Sequence, residues 1–446
     1  MTSEVRRAGA FAAVGTLALV APLHEQVSAL AFMVVAAAAA FGIREGRLFE
    51  LFARPGDRRD GKLYGLAGFA LAATALAILT MAPQVPMPIT AFVGTVLLVA
   101  YGNLGERLVR TRGGSDALGL AGFGVAGFAA AAVGMVAAVE VGGLDTLNPS
   151  EIVFLAASGV LLAALLRSVL FERDDPLVMV SAGLLLWFLS ELMMPRTLPA
   201  VVGALAVTLA LGYASYAMDT ASIPGMLTGV FLGLLTLVLG GVGWFVVLIS
   251  FFALGGLSTK FRYDVKLDRG VAEDNAGVRG SGNVLGNASV ALFALLAYAA
   301  ADSGLFPASI GPLENTTLYM YAFAGSVAAA MSDTLSSEIG GIFDNPRLIT
   351  TLQRVEPGTD GGVTWQGLVA GTAGGLVVAG LTLALFPEAG PVGAAVVAVA
   401  GFVGMNVDSV IGATLENRVL GNQGVNFLAT LAGAVAAAVG VLALGI

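Results

Sequence analysis

IPGMLTGVFLGLLTLVLGGVGWFVVLISFFALGGLSTK, residues 223–260, carries no charged residue before its final Lys260. About 20 apolar residues in a helix cross the hydrocarbon of a bilayer, so this stretch reads as two spans, 223–239 and 242–257. The same reading extends along the chain. Before it lie segments 5–23, 27–43, 63–81, 89–104, 117–139, 152–170, 177–194 and 198–213. After it lie 284–301, 318–331, 367–386, 392–407 and 425–446. The expected fold is all-α, a polytopic transmembrane helical bundle with about fifteen membrane segments.

Composition agrees. Of 446 residues, 57% are hydrophobic and 12% charged, and a soluble domain carries about twice that charged fraction. There is no cysteine, which excludes disulfides and thiolate metal sites, and the single histidine, His24, excludes His-rich metal sites and Ser-His triads. A formal net charge of -8 argues against a nucleic-acid partner. The expected partner is the lipid bilayer.

Lys and Arg in the loops set orientation. With the N-terminus, carrying Arg6 and Arg7, in the cytoplasm, the basic loops at 44–62, 107–112, 167–173, 260–279 and 347–354 all fall on that side, and only Arg196 falls outside. The expected location is the cell membrane, multi-pass, with a cytoplasmic N-terminus. The chain divides near residue 200. An N-terminal transmembrane extension, 1–200, has short loops. The remainder, 201–446, has polar cytoplasmic loops at 258–283, 332–365 and 411–424, and long polar loops in a compact membrane protein are usually functional.

Those loops hold the chemistry. SDTLSSEIG, residues 332–340, places Asp333 on one helix face with Ser336 and Ser337. A carboxylate among hydroxyls at the membrane surface suits hydrated Mg²⁺, which takes one or two carboxylates plus phosphate oxygens. Asp408 sits at a second helix end at the same expected depth and would share the ion. Gly358, Gly361 and Gly362 free the backbone to point N–H groups at an anion, with Thr359 beside them. Arg347 and Arg354 supply forked contacts to phosphate. No G-K-[ST] follows, so this is not a Walker A loop. A second glycine-rich stretch, 277–283, ends in Asn283 and contains Arg279, making another phosphate clamp. Gly367, Gly371 and Gly375 form a small-residue stripe read as helix packing.

At these residues the chain resembles a known family. GWFVVLISFFALGGLSTK (243–260), GVRGSGNVLGN (277–287), SDTLSSEIG (332–340), PRLITTLQRVEPGTDGG (346–362), DSVIGAT (408–414) and NQGVNFLAT (422–430) occur in the order found in the membrane family of domain of unknown function ninety-two. That family includes transmembrane protein nineteen and the phytyl-phosphate kinases of plants and cyanobacteria. The resemblance covers roughly residues 200–446. SDTLSSEIG and VEPGTDGG also look distantly like segments of dolichol and phytol kinases, which use CTP. Gly286 and Asn287 depart from the Ala-Asn-Gly run usual in the family.

The resemblance implies a membrane-embedded prenyl-phosphate kinase. It would transfer phosphoryl from CTP or another nucleoside triphosphate to an isoprenoid monophosphate such as phytyl or geranylgeranyl phosphate. Asp333, Arg347 and Arg354 would be catalytic. Lys260, Arg279, Asn283, Thr351, Gly358, Thr359, Asp360, Gly361, Gly362 and Asn426 would hold substrate and nucleotide phosphates, and Asp333, Glu338 and Asp408 would hold Mg²⁺. Two alternatives stand beside it: a carrier or flippase for prenyl phosphate or another anion, and a non-catalytic membrane scaffold.

Overall fold

The computed structural model describes residues 3–170, 175–192, 196–272, 277–306 and 315–446. Arg173, Glu273 and Asp274, and the expected segment end at 193–194, lie outside these residues. The chain is helical apart from one two-stranded ribbon among the described residues. It forms two compact units, 1–206 and 207–446.

The first unit contains α1 (Ser3–Gly15), α2 (Glu25–Ala37), α3 (Gly46–Phe52), α4 (Pro55–Asp60), α5 (Tyr64–Leu79), α6 (Ile89–Arg110), α7 (Asp116–Gly142), α8 (Pro149–Val169) and α9 (Asp175–Ser190), and the unit boundary falls within α10 (Leu198–Ala217). Small residues decide its tightest packing. Gly94, Gly102 and Gly105 of α6 press on Met135, Phe123 and Gly122 of α7, with no room for a side chain. Such stripes let helix backbones approach where lipid supplies no hydrophobic drive. The opposite face of α7, with Val125 and Val133, is exposed, as lipid-facing residues are.

The second unit continues with α11 (Ile223–Leu235), α12 (Val242–Lys260), α13 (Tyr263–Asp268), α14 (Ser281–Asp302) and α15 (Thr316–Gly340). Then come β1 (Arg347–Leu348), β2 (Gly362–Val363), α16 (Trp365–Leu385), α17 (Gly390–Leu415) and α18 (Asn422–Leu444). α15 is the hub, packed by α12, α14, α16, α17 and α18. Each C-terminal neighbour reaches it through glycine: Gly371 and Gly374 of α16 against Ser332 and Met331, Gly404 of α17 against Ala329, and Gly433 of α18 against Gly325. Trp244 of α12 closes the far end, its ring 4.6 Å from Tyr298 and from Phe323. It is buried.

Every expected segment falls on a helix. Eleven helices among the described residues are long and apolar enough to span a bilayer. α1, α5 and α9 are shorter, and the 25-residue α15 is absent from the eleven. Its polar residues explain why.

The glycine contacts yield a prediction. A Cβ at Gly404 would overlap Ala329 and stand 2.9 Å from the Ala429 carbonyl, whereas one at Gly380 meets nothing within 4 Å. Gly404→Val is expected to lower the thermal unfolding midpoint in detergent, costing about 1–3 kcal/mol, and Gly380→Ala to leave it unchanged or raise it.

Candidate functional site

The loop end of the second unit brings two carboxylates together. Asp333 of α15 and Asp408 of α17 lie within hydrogen-bonding reach of each other. Their helices can approach because the Ser332 hydroxyl fills notches left by Gly375 and Gly401, where a Cβ would stand 2.8 and 2.9 Å from it. Both carboxylates are half-buried. Among the described residues, Asp408 Oδ2 has no hydrogen-bond partner, nor has Ser332 Oγ. A buried polar atom without a partner is costly, and two carboxylates this close need a proton or a cation between them. The pair fits a hydrated Mg²⁺, which binds through one or two carboxylates plus phosphate oxygens.

Glu338 corrects the expected metal set. It is buried, and its oxygens are taken by Lys266 Nζ at 2.5 Å and Thr259 Oγ1 at 2.9 Å. Lys266 Nζ also donates to the carbonyls of Ser258 and Thr259. Among the described residues no group of three or more acidic or His side chains could hold a metal ion. Glu338 instead anchors α13 and the end of α12 to α15. The sequence placed Lys266 only in the basic loop 260–279; its single distinguishing mark is that it is one of three lysines.

The glycine-bearing loop docks beside Asp408. β1 pairs antiparallel with β2, and Arg347 bridges Arg354. Gly358 and Gly361 have left-handed backbones, φ +83 and +74, open to glycine without strain. A Cβ on Gly361 would overlap the Ser409 carbonyl and stand 2.7 Å from the Ala413 nitrogen, so the turn lies directly on α17. Asp360 accepts a hydrogen bond from Asn417 at 2.8 Å, which turns it toward the helix end rather than a phosphate. Burial first, then the Asp360 carboxylate, raises the Glu416 carboxyl above its ordinary value.

The other loop residues are open to solvent. Arg347 donates to the Leu352 carbonyl at 2.7 Å, Thr359 to the Glu356 carbonyl at 2.7 Å, and Thr351 accepts from the Gln353 backbone at 3.4 Å. Arg354 and Gly358 are exposed, and Gly362 lies in β2. Leu352, exposed and bulky, sits at φ +58, a strained conformation of the kind found at binding and switch segments. Thr364 caps α16 by accepting from Gly367 N at 3.1 Å, so that donor is already satisfied.

A cavity of about 520 Å³ lies between α10, α11, α12 and α14. Its walls are apolar, with Phe245, Ile249, Phe252 and Met226 among them, and its basic residues are Lys260 and Arg279. Lys260 donates to the Met218 carbonyl at 3.1 Å and is exposed. Arg279 is buried over the Phe251 ring. Gly255 has no side chain, and a Cβ there would stand 2.9 Å from the Arg279 guanidinium and 3.4 Å from Thr334. The Arg279 guanidinium and Thr334 of α15 thus both lie close to Gly255 of α12. Asn283 and Asn426, both half-buried, lie where α14 meets α18, and Gly282 and Gly286 receive Gln423 there. Gly286 thus serves close helix approach at the position that departs from the family pattern.

Comparison with known proteins places this architecture. Residues 206–434 match the model of the family described as integral membrane protein DUF92. An uncharacterised membrane protein of Synechocystis is 35% identical over 45% of this chain and 75% of its own length. An uncharacterised membrane protein of Methanocaldococcus jannaschii is 34% identical over 47% of this chain and 82% of its own. Protein VTE6, chloroplastic, of Arabidopsis thaliana is 27% identical over 44% of this chain and 57% of its own. No solved structure matches. The chain belongs to the DUF92 family.

The buried Lys266–Glu338 pair yields a second prediction. Removing one partner leaves an uncompensated buried charge, so Lys266→Met or Glu338→Leu alone is expected to cost about 3–5 kcal/mol. The double variant should be less damaging than either, as read from unfolding midpoints in a double-mutant cycle.

Proposed function

We propose that this member of the DUF92 family is a membrane-embedded kinase that phosphorylates an isoprenoid monophosphate, such as phytyl or geranylgeranyl phosphate, from CTP or another nucleoside triphosphate. Two features of the second unit support this reading: the Asp333–Asp408 pair and the apolar cavity with Lys260 and Arg279 in its wall. A kinase of this kind needs a dry channel for a prenyl tail, basic groups at its mouth, and carboxylates where phosphates meet. The family resemblance to phytyl-phosphate kinases supports the same reading.

The chemistry asks little more of the protein. Phosphoryl transfer depends on positioning and charge neutralisation. An oxygen of the acceptor monophosphate attacks the γ-phosphorus, the bond from that phosphorus to the β–γ bridging oxygen breaks, and the nucleoside diphosphate leaves. A phosphate monoester has a second pKa of about 6, so its oxygen is already ionised at neutral pH and no strong base is required. Lys260 and Arg279 hold the acceptor phosphate at the cavity mouth. Arg347, Arg354 and the turn around Thr359 contact nucleotide phosphates from the loop, with Thr351, Asn283 and Asn426 as further polar contacts. Asp333 and Asp408 would hold Mg²⁺, which neutralises charge on the transferred group when bound. The loop end faces the cytoplasm, where nucleotides are.

Purified protein given geranylgeranyl phosphate with CTP or ATP and Mg²⁺ is expected to form the diphosphate, and Asp333→Asn to lose about a hundredfold or more of the rate. Absence of diphosphate with every nucleotide, together with prenyl-phosphate transport by the protein in liposomes, sinks the kinase and favours the carrier. Orientation has its own test, because the chain has no cysteine and Thr350 is exposed. Thr350→Cys in intact cells should resist a membrane-impermeant maleimide and react after permeabilisation.

A further inference from the structure

The first unit has a pocket of its own. Four arginines from four elements line it: Arg7 of α1, Arg54 of the turn before α4, Arg107 of α6 and Arg167 of α8. The one carboxylate in its wall is Glu4, half-exposed and 3.4 Å from Arg107. Behind the wall, buried Asp175 pairs with Arg54 and Arg167, and buried Glu106 with Arg167 at 2.7 Å and Arg110 at 2.9 Å. These carboxylates hold the Arg54 and Arg167 guanidiniums in place in the wall.

Buried atoms in the wall without a hydrogen-bond partner among the described residues include Arg167 Nε and Asn103 Oδ1. Arg167 is a side chain only 10% exposed. An orphaned donor in a wall of guanidiniums calls for an oxyanion, and forked arginines match phosphate geometry. The volume, about 20 Å³, admits one compact group. We propose that this pocket binds a single phosphate group, separately from the carboxylate site of the second unit and whatever reaction that site performs. Phospholipid headgroup and free phosphate share this chemistry.

The test uses the purified, delipidated full chain in an uncharged detergent. One arm compares the unfolding midpoint in potassium phosphate with that in potassium chloride at equal ionic strength. The other measures, by native mass spectrometry, retention of phosphatidylglycerol against phosphatidylcholine. A phosphate-specific rise in midpoint assigns a free anion; selective retention of the anionic lipid assigns a headgroup. Either supports the pocket when Arg7→Gln with Arg107→Gln weakens it about tenfold or more. Asn103→Leu, which touches no ion pair, serves if the arginine variant fails to fold. Binding in neither arm, or variants that bind as the wild type does, overturns the proposal.

Discussion

α15 is a buried helix too polar to face lipid, and the second unit is arranged around that constraint. Ser326 and Ser332 are fully buried along it, Glu338 nearly so, and Asp333 half-buried. Polar side chains in a membrane-spanning body face its interior rather than lipid. The helix is therefore wrapped by five others. Wrapping so closely requires the neighbours to lose side chains at the contact, which accounts for glycine at Gly371, Gly404 and Gly433.

The site follows from that closeness. Where α16 and α17 leave notches for the Ser332 hydroxyl, the next residue along α15 is set against Asp408. Where α12 offers Gly255, Arg279 comes beside Thr334. Where α15 ends, Glu338 is held by Lys266, so the polar segment after α12 is tied to the same helix.

Several boundaries were read too early in the sequence. Residues 332–340 and 411–415 belong to α15 and α17, although hydropathy assigned them to loops. Hydropathy falls at Asp333 and Asp408 because it records transfer to lipid; helix formation continues because these side chains meet each other instead. The glycines at 358–362 were legible as a turn of unusual backbone, and Gly358 and Gly361 do adopt left-handed conformations. That Gly361 rests on Ser409, and that Asp360 turns to Asn417, was not legible. Glu338 and Asp408 looked equivalent as acidic residues near helix ends. Only the partner of each separates them: a lysine for Glu338, a second carboxylate for Asp408.

The sequence by itself determined that the chain is helical and lives in a membrane. The bilayer's demand for apolar residues is local and accumulates along the chain, so a run such as 223–239 states it without reference to any neighbour. Tertiary structure alone decided which polar residues meet. Asp333 with Asp408, Lys266 with Glu338, and the arginines of α1, α6 and α8 are each joined across separate helices. Those meetings depend on how closely helices approach, and the approach is set by small residues whose partners no local pattern names.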